Sequence, residues 1–118
     1  VIVDDFAIIS ATVLAHQFCR VGSYVMIQGG SRFSMDIPPY IIAGKEPIRY
    51  AGLNIIGLRR RGFSNETIEL IKEAYTIIYN STGTRAEAIE EIKNTLTVTP
   101  EIQYIIDFVS SSQRGIIK

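Results

Sequence analysis

The stretch Val3–Ile37, VDDFAIISATVLAHQFCRVGSYVMIQGGSRFSMDI, decides how this chain folds. Apolar residues recur in it at every sixth position: Val3, Ile9, Ala15, Val21, Ile27 and Phe33. A second file follows four residues after each: Ala7, Val13, Cys19, Val25, Ser31 and Ile37. A helix repeats at about 3.6 residues and a flat strand at 2, so a period of six fits neither. It suits short extended segments joined by corners and wound into a coil. The larger first file fills the axis, and the smaller second file sits beside the corners. Gly22, Gly29 and Gly30 fall near expected corners, where positive φ is often required.

Outward from this ladder, Pro38 and Pro39 stiffen its exit, since neither can donate to a strand pairing. Tyr40 to Gly44 reads as one more extended run, and Lys45 to Ala51 as a polar connection. From Leu53 the period turns helical. Asn54 caps a short helix that ends at Arg61, with Gly62 as its stop. Ser64 caps a second helix, with Ile68, Ile71, Tyr75 and Ile78 inward. Thr84-Arg85-Ala86-Glu87 is a capping box for a third, with Ile89, Ile92 and Leu96 inward. Thr99-Pro100 opens a fourth, striped by Ile102, Ile105, Ile106 and Val109. The expectation is a β-solenoid over residues 1–44 and a C-terminal helical domain over 45–118. The ladder already runs at Val1, so the chain reads as the C-terminal part of a longer one.

Composition narrows the function. Twelve basic and twelve acidic side chains give a formal net charge of +0, which argues against a nucleic-acid partner. No apolar run approaches the ~20 residues of a membrane span, so no membrane insertion is expected. Asp4 and Asp5 stand where a signal peptide would be basic. The single cysteine, Cys19, excludes an internal disulfide and reads either as small core or as a reactive thiol. The single histidine, His16, excludes a multi-histidine metal site within the chain.

His16 follows a ladder residue and so faces outward. It is either a surface or interface imidazole, or a group that positions a ligand hydroxyl. Arg59-Arg60-Arg61 is the one dense charge run. As a solvated helix face it would have no ligand. Yet Asn54 and Arg61 are seven residues apart, nearly two turns, and so share a face, while Arg60 points about 100° away. An amide beside a guanidinium suits a nucleotide. The chain shows no Gly-rich phosphate loop, no Ser-His-Asp set and no catalytic carboxylate pair.

The segments VDDFAIISATVLAHQFCRVGSYVMIQGG, DIPPYIIAGKEP and GLNIIGLRRRGFS closely resemble the C-terminal part of the bacterial acyl-[acyl-carrier-protein]–UDP-N-acetylglucosamine O-acyltransferases. AHQFC, DIPPY and GLRRRGFS occur in order, at that family's spacing, down to the final RGIIK. The resemblance implies a left-handed parallel β-helix, a homotrimer, and no cofactor. The implied reaction moves an (R)-3-hydroxyacyl chain from acyl carrier protein to the 3-hydroxyl of UDP-N-acetylglucosamine, the first step of lipid A synthesis, in the cytoplasm. By the same resemblance His16 lines the cleft, with Gln17 beside it. Asn54 matches a uridine-contacting asparagine, and Arg60 and Arg61 match arginines near the UDP phosphates. Gly29 falls beside the acyl-chain pocket. Ile56 departs from the pattern, since some members carry a glutamate there. The general-base histidine is expected upstream of Val1, leaving no catalytic residue in this chain. The alternatives are the related glucosamine N-acyltransferase and a non-catalytic trimerisation scaffold.

Overall fold

Two-residue strands recur along the chain at six-residue intervals: β1 (Ile2–Val3), β2 (Ile8–Ile9), β3 (Leu14–Ala15), β4 (Arg20–Val21), β5 (Met26–Ile27) and β6 (Arg32–Phe33). Each ends on a residue of the first hexad file. The structure, a computed structural model, describes residues 2–9, 14–15, 19–29, 32–33, 35–44 and 48–118. The strands pair in parallel, β1 with β4, β2 with β5 and β3 with β6. Every partner lies eighteen residues on, as in Ile2 opposite Arg20 and Leu14 opposite Arg32. Three hexads therefore bring the chain back onto itself.

The ladder is buried where both neighbours are in place. Cys19, Val21, Val25, Ile27 and Ile37 are fully buried, and Phe33 nearly so. Val3, in the first described strand, remains 46% exposed. Cys19 proves to be core: its thiol is buried and donates to the Phe33 carbonyl at 3.9 Å.

The corners depart from expectation. Gly22 does not carry a positive φ. Among the described residues of the ladder the left-handed corners belong to Phe6 (φ 59°), Tyr24 (φ 60°) and Tyr40 (φ 73°), and Gly30 lies outside the described residues. This backbone costs an L-residue roughly 1–2 kcal/mol. Tyr24 stacks on Phe6 at 5.1 Å and on Tyr40 at 5.8 Å, and Phe63 packs edge-on against both tyrosines. Each such pair contributes about 0.5–1.5 kcal/mol beyond its burial. The stack is thus large enough to offset the strain. Gly22 is needed for a different reason: a Cβ there would lie 2.5 Å from the Pro39 nitrogen.

Strand β7 (Ile41–Gly44) adds in parallel to β5. The polar connection read over 45–51 is partly strand instead: β8 (Arg49–Leu53) folds back antiparallel on β7. Its alternation was hidden by charged and small residues, and pairing with β7 supplies what propensity lacks.

Four helices follow: α1 (Ile55–Arg60), α2 (Asn65–Asn80), α3 (Arg85–Thr95) and α4 (Pro100–Ser111). Asn54, Ser64, Thr84 and Thr99 cap them, each side chain accepting from the N–H three residues on. Helices α2, α3 and α4 pack on one another. Ala74, rather than Ile78, completes the buried face of α2, and Leu96, the C-cap of α3, is only half-buried.

Polar clasps join the helices to the strand region. Tyr104 on α4 donates to the Asp4 carboxylate and lies 3.1 Å from the Ser23 hydroxyl, while accepting from the Ser23 N–H at 2.8 Å. Asp36, buried, accepts from the Arg20 N–H at 2.8 Å and from the Ser112 hydroxyl. The Asp36 main chain also pairs with the tail, through Gly115 and Ile117. Tyr75 of α2 donates to the Pro39 carbonyl at 2.6 Å.

Candidate functional site

The run Asn54–Arg61 folds as a cap, six helical residues and a second cap. Six residues are too few to hold a helix unaided. Asn54 holds this one in place. Its Oδ1 accepts from the Gly57 N–H at 3.3 Å, and its Nδ2 donates to the Tyr24 carbonyl at 3.0 Å. Its main-chain N–H reaches the Tyr40 carbonyl at 2.9 Å. Position 57 must be glycine, because a Cβ there would meet Asn54 Nδ2 at 2.4 Å. Leu58 is fully buried and anchors the inner side.

Asn54 is 6% exposed, so its amide is spent largely on the fold. It orients α1 against the Tyr24 corner rather than standing open to solvent. The arginines differ from it and from one another. Arg59 and Arg60, both exposed, lie in the last turn of α1, where cations suit the carboxyl end of the helix dipole. Neither pairs with a carboxylate among the described residues. Arg61 is the C-cap, its N–H shared between the Gly57 and Leu58 carbonyls at 3.2 Å each. Its guanidinium carbon sits 4.4 Å from the centre of the Phe6 ring.

Phe6 therefore belongs to the site, and the sequence reading missed it. A ring under the flat face of a guanidinium holds the group while leaving its N–H edge to donate in the plane. That edge matches two oxygens of a phosphate or carboxylate. Asn54 and Arg61 are linked through the corner: Asn54 bonds the Tyr24 carbonyl, Tyr24 stacks on Phe6, and Phe6 lies under Arg61. The recurrence of aromatics at 6, 24 and 40 was the signal that pointed to it.

Beside the arginines, Ile55 and Ile56 are 37% and 70% exposed. Gly29 lies at an exposed turn after β5. His16 and Gln17 lie outside the described residues. No three His, Cys, Asp or Glu side chains gather as a metal would require, among the described residues. No described helix is long and apolar enough to cross a membrane.

Residues 36–117 match the model of the family described as UDP N-acetylglucosamine O-acyltransferase, domain 2. Over all 118 residues the chain is 40% identical to an acyl-[acyl-carrier-protein]–UDP-N-acetylglucosamine O-acyltransferase of Myxococcus xanthus, covering 46% of it. It is 41% identical to the protein of that name from Aliivibrio salmonicida, covering 45%. The chain thus spans about half the length of these relatives. Among solved structures, LpxA from Bacteroides fragilis, a UDP-N-acetylglucosamine acyltransferase, superposes with a TM-score of 0.95 at 64% identity, over 99% of this chain and 46% of that one. LpxA from Acinetobacter baumannii gives 0.92 at 40% identity, over 98% and 45%.

Proposed function

Since the chain belongs to the UDP-N-acetylglucosamine O-acyltransferase family, we propose that it is the C-terminal, nucleotide-gripping part of such an enzyme. The reaction moves an (R)-3-hydroxyacyl chain from acyl carrier protein to the 3-hydroxyl of UDP-N-acetylglucosamine, as the first step of lipid A synthesis in the cytoplasm. In this reading residues 1–44 are the last coils of a left-handed parallel β-helix, and 45–118 form the helical domain. The eighteen-residue return of the strand pairs supports the coil. A homotrimer is supported by an outward file of Ile8, Met26 and Ile42, side by side in register, with Ile8 52% exposed.

The observation that carries the nucleotide role is Arg61 held over Phe6. The guanidinium edges of Arg61 and Arg60 bind the diphosphate, and Asn54 sets their position. His16 and Gln17 line the cleft, and Gly29 borders the acyl chain. A histidine in the half of the enzyme beyond this chain accepts the proton of the sugar hydroxyl as its oxygen attacks the thioester carbonyl. A backbone N–H stabilises the oxyanion, and the carrier's thiol leaves with the proton.

Titration calorimetry with UDP-N-acetylglucosamine tests this on the full-length enzyme. Arg61→Ala should weaken binding by about 1.5–3 kcal/mol, the range for charge-assisted hydrogen bonds. Arg59→Ala should change it by well under ~1 kcal/mol, as for an exposed charge. Arg61→Lys should recover only part of the loss. Equal losses at 59 and 61 would reduce the run to a diffuse positive field and end the clamp reading.

A further inference from the structure

A cavity of about 470 Å³ opens away from α1, between the end of α2, the start of α3, α4 and the tail. This lies within the roughly 300–1,000 Å³ typical of small-molecule sites. Ile78, Ala88, Val109, Ile116 and Ile117 give its wall an apolar side. The polar groups of the wall are already engaged with the fold. Tyr79 donates to the Ile117 carbonyl at 2.7 Å, Ser81 accepts from the Gly83 N–H, and Thr84 accepts from the Glu87 N–H.

Two cations remain, Arg85 and Lys118, and no Asp or Glu side chain lines the space. Arg85 spends one N–H on the Ser112 carbonyl at 3.1 Å, out of the five a guanidinium carries. The main-chain oxygen of Lys118 accepts from the Tyr50 N–H at 2.7 Å, which ties the tail to β8. What remains is an apolar hollow whose lining holds two basic side chains, with the Glu87 carboxylate nearby against Gly83.

We infer that this cavity binds an amphipathic anion, a medium-chain carboxylate with its head at Arg85 and Lys118 and its alkyl chain against Ile78, Val109 and Ile116. The flat fork of a guanidinium matches the two oxygens of a carboxylate, and the apolar wall requires an apolar body. The site shares no residue with the Arg60–Arg61 clamp, so it stands apart from the proposed acyl transfer and needs no turnover to be seen.

Decanoate below its micellar range is the probe, with decylammonium as the same chain of opposite charge. Amide resonances of the full protein are followed as each is added. Decanoate should bind saturably, shifting Arg85, Ala88, Val109 and Ile116, and at least tenfold more tightly than decylammonium. Arg85→Gln and Lys118→Gln should each weaken decanoate by about three- to tenfold, the range of partly exposed ion pairs, and leave decylammonium unchanged. Shifts that never saturate, equal binding of the two probes, or decanoate affinity untouched in both variants would overturn the proposal. The last outcome would leave a plain apolar void.

Discussion

At Phe6 two demands meet. Its backbone is left-handed, and its ring lies between the Tyr24 stack and the Arg61 guanidinium. Half-exposed cation–π contacts contribute about 0.5–1 kcal/mol. Phe6→Leu should therefore lower UDP-N-acetylglucosamine affinity roughly two- to fivefold in the full enzyme, by releasing Arg61. In an Arg61→Ala background the same change should cost almost nothing, because the two act as one unit. A double-mutant cycle by calorimetry reads the coupling. Additive losses would mean that Phe6 matters to the corner and not to the clamp.

At the scale of one element, α1 shows how a short helix is fixed by its ends. Glycine inside a helix ordinarily costs about 1 kcal/mol against alanine, so Gly→Ala usually stabilises. Gly57→Ala should do the opposite. The new methyl displaces the Asn54 amide, breaking both the cap to Gly57 N and the bond to the Tyr24 carbonyl. A lost cap costs about 1 kcal/mol and the lost bond about another, against which alanine returns at most ~1. Chemical denaturation should register a net loss of about 1 kcal/mol. A gain would show that the cap can shift without penalty. The other caps were legible beforehand, because a cap depends on residues three or four apart. Strand β8 was not, because its pairing partner β7 decides it.

Across the whole molecule, the strand and helix layers are joined at a few buried polar points. Asp36→Ala would strand the Arg20 N–H and the Ser112 hydroxyl and loosen the tail, costing about 2–3 kcal/mol. Asp36→Asn keeps one acceptor and should cost about 1 kcal/mol. Thermal and urea denaturation of both variants give the comparison. The tyrosines add a pH limit. Burial first, then the bond to Asp4, pushes Tyr104 up to about 12. Burial also raises Tyr40, Tyr75 and Tyr79. These phenols ionise near 10 when unfolded, so their contribution is intact below pH ~10 and is lost as pH climbs through the raised values. Stability should fall steeply above pH ~10, and less steeply in Tyr104→Phe. An unchanged slope in that variant would remove Tyr104 from the alkaline transition.

By itself the sequence determined the six-residue period, the burial of the files from Cys19 to Ile37 where they are described, the four helix caps and the arginine run, since each rests on spacing within a few residues. Helical phase alone leads to the expectation that Asn54 and Arg61 share a face. Only the tertiary structure decided that Phe6, Tyr24 and Tyr40 turn corners among the described residues. It likewise decided that Phe6 carries Arg61, that the Asn54 amide is buried, and that Asp36 holds the tail. The reason is distance along the chain. These contacts join residues sixteen to over seventy positions apart, and no local pattern records whether a stacked ring will offset a strained backbone.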